Sequence, residues 1–306
     1  MNNYVTHLNK YYLPQAMCLY KSLIKFEENF QLFVILLDEY SFKFFSKNNF
    51  PSITPILFRE HENDRLLQLK ASRKPNEYFW TITPYIQLLV YNIKKDLENL
   101  TYLDADTYFF SKPSLLLNSF YQSSSDILIT KHNFSEEYKR LENNGKYCVQ
   151  FIASKASGKD ILNEWNAQCL EWCFDRVEKD RFGDQKYLDA WQEKYGSRVF
   201  IPKNRNLFQG PWNVDSCDHK EAILYHFHGL RLLNKNKILA NIYYKISDKK
   251  YNFFYKQYLI DFKEIIRSEK LYFFSRVSLK RLLKFYFLSI LNYFKKYNVI
   301  HIETFK

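Results

Sequence analysis

The chain has 306 residues, 46% of them hydrophobic and 19% aromatic, which is enough to bury a large core in one main domain plus an appendage. It carries a formal net charge of +12 and only six glycines. No Gly-x-Gly-x-x-Gly or Walker A pattern is present, which excludes a glycine-rich phosphate cradle. Five scattered cysteines and the absence of a leader pattern at Met1–Thr6 point to a reducing cytosol, not to a disulfide-stapled secreted domain.

In chain order, Asn3–Leu8 reads as a strand and Leu13–Phe26 as a helix with Ala16, Leu19, Tyr20, Leu23 and Ile24 on one face. Gln31–Leu37 is a nearly continuous apolar run, as expected of a strand buried on both faces, and Asp38 ends it. A helix over Ser41–Ser46 and a strand over Ile53–Phe58 follow. Strand–helix–strand–helix order predicts a parallel sheet. Glu60–Asn76 reads as a charged, mobile helix–loop. The Pro84–Asp96 segment reads as a helix capped by Thr81 or Thr83. Strands are expected at Leu100–Leu103, Asp126–Thr130 and Tyr147–Ala153, with an Asn143-Asn144-Gly145 turn between the last two. Helices are expected at Asp160–Lys179 and Arg181–Trp191, and strands at Arg198–Ile201 and Ala222–His228. Cys169 and Cys173, one helical turn apart, read as buried small hydrophobes in preference to zinc ligands. After about Asn234 the chain reads as helical, aromatic and basic. From Asn241 onward 14 basic residues face 5 acidic ones, so the first 240 residues are nearly neutral.

Three stretches carry chemistry. In Tyr102–Phe110, Asp104 and Asp106 follow a buried strand, with the small Ala105 between them. Alternate residues of an extended chain share a face. Two carboxylates so placed suit a hard divalent cation that also holds phosphate oxygens. The end of a strand is also where open α/β sheets bind ligands. In Phe182–Leu188, Asp184 and Gln185 open a helix, so Asp184 reads either as its N-cap or as an acid facing a ligand. In Tyr225–Arg231, His226 and His228 alternate at a strand end, Gly229 permits close approach to the backbone, and Arg231 adds a cation. Pro211-Trp212-Asn213 reads either as a stacking floor for a sugar or as a packed loop.

The order of these motifs resembles GT-A fold glycosyltransferases of the glycogenin and lipooligosaccharide-galactosyltransferase type. The likeness rests on VTHLNKYYLPQAMCLYKSL near the start, Tyr-Leu-Asp-Ala-Asp at Tyr102–Asp106, Asp184-Gln185 with Leu188, and His226-x-x-Gly229. It spans roughly residues 1–232. The resemblance implies an α/β class and a GT-A, Rossmann-like, mostly parallel sheet flanked by helices. Residues 1–234 would form the nucleotide-sugar-binding catalytic domain and 235–306 a basic, amphipathic helical tail. It implies that Asp104, Asp106 and His226, with His228 as alternate, hold Mn2+ or Mg2+ against the diphosphate of a nucleotide sugar. Ala105, Gly229 and Arg231 would line that diphosphate, Tyr12 would stack on the base with Thr6 near it, and Asp184 and Gln185 would face the anomeric carbon and sugar hydroxyls. Three departures stand out. His7, Leu8 and Asn9 lie where the family carries an acid. Cys148, Val149 and Gln150 replace its Asn-x-Gly. No Lys-Pro-Trp follows Gly229.

The expected function is a metal-dependent hexosyltransferase that retains anomeric configuration. Its donor would be UDP-hexose or UDP-HexNAc, and its acceptor a glycan or glycolipid of a surface polysaccharide or lipopolysaccharide. Arg276–Lys296 places Leu279, Leu282, Leu283, Tyr286, Phe287, Ile290 and Leu291 on one helical face, opposite basic residues. That pattern predicts a helix lying on an anionic membrane surface at the cytoplasmic side, too short in uncharged length to span it. The rival readings are a sugar nucleotidyltransferase, which wants a glycine-rich loop, and a nucleic-acid-binding protein. The second leaves Asp104, Asp106, Asp184 and His226 without a role, so no nucleic-acid partner is expected.

Overall fold

The computed structural model describes residues 1–240, 244, 246–274 and 299–301. The elements, in order, are β1 (Asn2–Leu8), α1 (Leu13–Phe26), β2 (Phe30–Leu36), α2 (Glu39–Lys47), β3 (Ile53–Leu57), α3 (Asp64–Ser72), α4 (Pro75–Ile93), β4 (Asn99–Leu103) and β5 (Thr107–Phe109). There follow α5 (Ser114–Gln122), β6 (Ile127–Lys131), β7 (Tyr147–Lys155), α6 (Lys159–Glu171), α7 (Trp191–Tyr195), β8 (Val199–Phe200) and β9 (Phe208–Gln209). The last are β10 (Leu224–His226), β11 (Arg231–Asn234), β12 (Lys237–Leu239), α8 (Asp248–Ser268) and β13 (Val299–His301).

The chain forms two compact units. The first comprises residues 1–9, 27–104 and 112–205, and the second 10–26, 105–111 and 206–306. In the first, a seven-stranded sheet runs in the order β3-β2-β1-β4-β7-β6-β8. The pairs β2–β3, β1–β2, β1–β4 and β6–β8 are parallel, while β7 is antiparallel to both of its neighbours. The parallel strands read as apolar runs because both faces are covered. Val5, Phe33, Ile35, Tyr102, Ile129 and Ile152 join Ile82 and Ile86 of α4 and Trp165 of α6 in one buried cluster. The mixed, mostly parallel sheet expected from the sequence is therefore present.

Several element boundaries differ from expectation, each for a local reason. The segment from Glu60 is an ordered helix, α3, capped where Asn63 Oδ1 accepts from Leu66 N at 3.0 Å and anchored by buried Leu66 and Leu69. Helix α4 starts at Pro75, nine residues before Pro84. Proline fits the first helical position, and Glu77 Oε2 accepts from Lys74 N at 2.9 Å. Pro84 then lies inside the helix, and Thr81 and Thr83 bond back to the carbonyls of Glu77 and Phe79 instead of capping. Helix α6 stops at Glu171, not Lys179. There the buried Arg73 guanidinium donates to the carbonyls of Cys169 (2.7 Å) and Leu170 (3.0 Å), a cation at a helix C-terminus. Arg181–Trp191 is a 3-10 turn over Gln185–Ala190 followed by the short α7. All five cysteines are buried.

In the second unit, β10 pairs antiparallel with β5 and parallel with β9. The expected Ala222–His228 strand is thus a three-residue strand of a separate small sheet. Its core is aromatic. Phe227 stacks on Tyr258 (ring centroids 3.7 Å apart) and Tyr225 on Phe254 (4.2 Å). Helices α1 and α8 are joined by a polar node, buried at Tyr108 and Asp261 and open to solvent at Lys21 and Glu264, in which Tyr108 OH donates to Asp261 (2.6 Å) and Lys21 pairs with Asp261 (2.9 Å) and Glu264 (2.7 Å). Immediately after residue 234 the chain forms the β11–β12 hairpin, not a helix, and the antiparallel β12–β13 pair completes a third sheet. The Arg276–Lys296 stretch lies outside the described residues. Among the described residues no helix is long and apolar enough to cross a membrane.

Candidate active site

Strand β4 is buried from Leu100 to Leu103, and one further backbone bond, Asp104 N to Gln150 O at 3.1 Å, extends its ladder with β7. The chain then turns at Asp104-Ala105-Asp106 before β5, so the two acids sit on a turn and not on the extended segment that the alternation predicts. Asp104 is half-buried and accepts the hydroxyl of Tyr102, two residues earlier, at 2.7 Å. Ala105 is buried. Asp106 is 7% exposed; its carbonyl accepts from Phe227 N at 2.8 Å, and its Oδ1 lies 2.9 Å from His226 Nε2. Burial alone would raise the Asp106 carboxyl. The positive charges of His226, His228 and Arg231 outweigh it and hold the group below the usual carboxylate range.

One oxygen each of Asp104 and Asp106 and one ring nitrogen of His226 lie within 4.8 Å of one another. Two carboxylates and an imidazole suit Mn2+ well and Mg2+ less well, because Mg2+ prefers oxygen alone. The donor set therefore fits the cation that the motif suggested. His226 now shares its Nε2 with Asp106, so binding a cation there requires the Nδ1–H tautomer. His228 lies outside this group. It is exposed, its ring centroid 5.4 Å from that of His226. Trp212 meets both imidazoles edge-on, at 5.5 and 6.0 Å. A Cβ on Gly210 would come within 2.7 Å of the Trp212 ring, so the residue there has to be glycine.

Other predicted residues take these places. Thr6 is fully buried on β1. Tyr12 ends a single 3-10 turn, and the Arg231 guanidinium lies 4.7 Å over its ring. Gly229 adopts φ +82 with nothing near a built Cβ, so its backbone conformation, not space, selects glycine. Asp184 occupies the cap position of the Gln185 turn, with no side-chain bond to the backbone of the second or third residue of that turn. Its carbonyl accepts from Trp165 Nε1 at 2.8 Å, and it is 4% exposed. Burial, and then the charge of Asp104, push its carboxyl up to about 8. Gln185 Nε2 donates to Asn144 O at 3.0 Å.

Three residues near Asp104 were passed over in the sequence. Tyr102 was read only as strand, though its hydroxyl contacts the first acid. Gln150, named as a departure, is the residue to which Asp104 N donates, and it is 1% exposed with both amide atoms unpartnered. His7, also named as a departure, is buried with its Nδ1 3.3 Å from Tyr102 OH. The antiparallel β4–β7 register, which brings Leu103 opposite Phe151 and so Gln150 beside Asp104, appears only in the fold and left no signal in the sequence.

No protein-family model matches the chain. The uncharacterized protein YfnF of Bacillus subtilis (strain 168) is 31% identical over 255 residues, covering 77% of this chain and 84% of that protein. The uncharacterized protein YfnD of the same organism is 23% identical over 281 residues, covering 86% and 89%. Among solved structures, the galactosyltransferase LgtC in complex with donor and acceptor sugar analogues superposes with a TM-score of 0.55 at 13% identity, covering 92% of this chain and 99% of that one. That likeness establishes the GT-A glycosyltransferase fold.

Proposed function

The chain belongs to the family of the Bacillus subtilis protein YfnF, and from that premise and its GT-A fold we propose that it is a glycosyltransferase using a nucleotide-diphosphate sugar. The observation that carries this reading is the gathered Asp104, Asp106 and His226, of which the two acids follow a buried strand of a mostly parallel sheet and His226 ends β10. Cleaving a sugar–phosphate bond builds negative charge on the leaving diphosphate. A divalent cation supplies counter-charge to that group when bound. Asp104, Asp106 and His226 would hold it, and Arg231 would add a second positive group toward the phosphates. Tyr12 would stack on the base, with Thr6 close by and Ala105 and Gly229 as the small residues along the diphosphate.

Asp184 and Gln185 would face the sugar, and a retaining outcome is proposed on that pair. A UDP-linked hexose or N-acetylhexosamine is the proposed donor, and a glycan or glycolipid of a surface polymer the proposed acceptor. The donor and acceptor analogues bound by the GT-A fold galactosyltransferase support substrates of this class. Attachment to an anionic membrane surface at the cytoplasmic side is proposed for residues 276–296 on their sequence pattern alone.

The test is release of nucleoside diphosphate from a panel of nucleotide sugars with Mn2+. Release from one UDP-sugar, lost in Asp106→Ala, is expected; no release from any donor by a folded protein sinks the reading. NMR of the new linkage decides the stereochemistry, since a β product from an α-linked donor excludes retention. Co-sedimentation with phosphatidylglycerol vesicles, comparing the full chain with one ending at Ser268, tests the membrane proposal. Equal binding by both removes it.

A further inference from the structure

We propose that Tyr102 and His7 form a positioning relay that aims the Asp104 carboxylate at its cation. The inference rests on the reading of Asp104 as a metal ligand and deepens it. Tyr102 is 1% exposed in the middle of the sheet, where a phenol hydroxyl needs a partner. It has one proton and gives it to Asp104 Oδ1 at 2.7 Å. The oxygen that remains can only accept, so His7 Nδ1, 3.3 Å away, has to be the N–H end of that contact.

The two supports stand on adjacent strands at the sheet centre, β1 and β4, in parallel register with Val5 beside Tyr102. Phe79 packs on the other side of the His7 ring, 5.3 Å between centroids. Burial keeps that imidazole neutral, so it donates without adding a positive charge that would oppose a cation. A free aspartate side chain loses rotamer freedom when it takes up a metal. Here the Tyr102 hydroxyl already fixes one carboxylate oxygen, so less of that freedom remains to be lost. Supports of this kind change metal affinity by roughly 10–100-fold when removed.

The experiment is titration of Mn2+ into the metal-free full chain by calorimetry, with melting curves recorded alongside. The variants are Tyr102→Phe, His7→Asn, His7→Leu and Asp104→Ala. Tyr102→Phe keeps the ring and is expected to weaken Mn2+ binding roughly 10-fold with little change in melting. In His7→Asn the amide nitrogen takes the place of Nδ1, so binding should stay near wild type, whereas His7→Leu should weaken it several-fold. Unchanged affinity in Tyr102→Phe, while Asp104→Ala loses binding, overturns the relay and leaves the metal reading standing. Unchanged affinity in Asp104→Ala overturns the metal reading and the relay with it. If Tyr102→Phe does not fold, the two His7 variants decide, and equal affinity in both overturns the relay.

Discussion

The two compact units are built by different means. In the first, Asp104 ends a strand flanked on both sides, in a sheet whose core is largely aliphatic. In the second, Asp106 lies on the turn just before one three-residue strand and His226 ends another; such strands are too short to be rigid alone, and a stack of Tyr225, Phe227, Phe254 and Tyr258 backs them. A ladder places a side chain through its backbone. An aromatic stack places it through shape and through the phenol hydroxyls it has to satisfy. The first device should tolerate side-chain changes around it, and the second should not.

The largest test of that contrast removes each acid. Asp104→Ala and Asp106→Ala should each lower nucleoside diphosphate release at least ~1000-fold, the loss expected when transition-state charge goes unbalanced. Their stability should diverge. Asp104 lies near Asp184, so its loss relieves repulsion, while Asp106→Ala strands the buried His226 at a cost of about 1–3 kcal/mol. Urea unfolding of the metal-free variants reads the difference. Equal stability of the two would break the comparison.

Next come the cores. Phe227→Ala should cost about 3–5 kcal/mol and weaken Mn2+ binding as well, because the ring it removes, stacked on Tyr258, steadies the backbone whose N–H donates to the Asp106 carbonyl. Ile152→Val on β7 should cost about 0.5–1.5 kcal/mol and leave Mn2+ affinity unchanged. A comparable loss of metal binding in both variants would show that the ladder is no more tolerant than the stack.

The smallest effect concerns pH. The Asp184 carboxyl is raised to about 8 in the folded chain, against roughly 3.9 when unfolded. The folded protein therefore keeps a proton that the unfolded chain has lost, and stability falls as pH rises from about 4 to about 8. Asp184→Asn removes this dependence. In metal-free buffer the melting temperature of the variant should exceed that of wild type by about 5 °C at pH 8, and the gap should close near pH 4. A gap that widens toward acid would reverse the assignment.

The first unit was legible in the sequence because its signals are local. Gln31–Leu37 is an apolar run, Asp38 caps the helix after it by accepting from Ser41 N, and strands of five to nine residues leave a clear pattern. The end of α6 was not legible, since Arg73, about a hundred positions earlier, closes it. Nor was the second unit, in which strands of two to four residues carry no periodicity and aromatic side chains pair across great sequence distance. The acids of the site were visible as a motif. The supports, Tyr102 and His7, were not, because their contact depends on which strands become neighbours.

The salt links from Lys21 on α1 to Asp261 and Glu264 on α8 also constrain how the protein is made. Lys21 and Glu264 are separated by 243 positions, and the buried face of α1 includes Leu19 and Leu23. At roughly 5–20 residues per second a ribosome needs on the order of 10–50 s to deliver α8 after α1. Through that interval α1 lacks α8 and has only β5 of these two packing partners, while the strands of the first unit emerge in turn and can pair. Nascent chains arrested before α8 should therefore be the ones that recruit a chaperone, and those extended beyond Ser268 should release it.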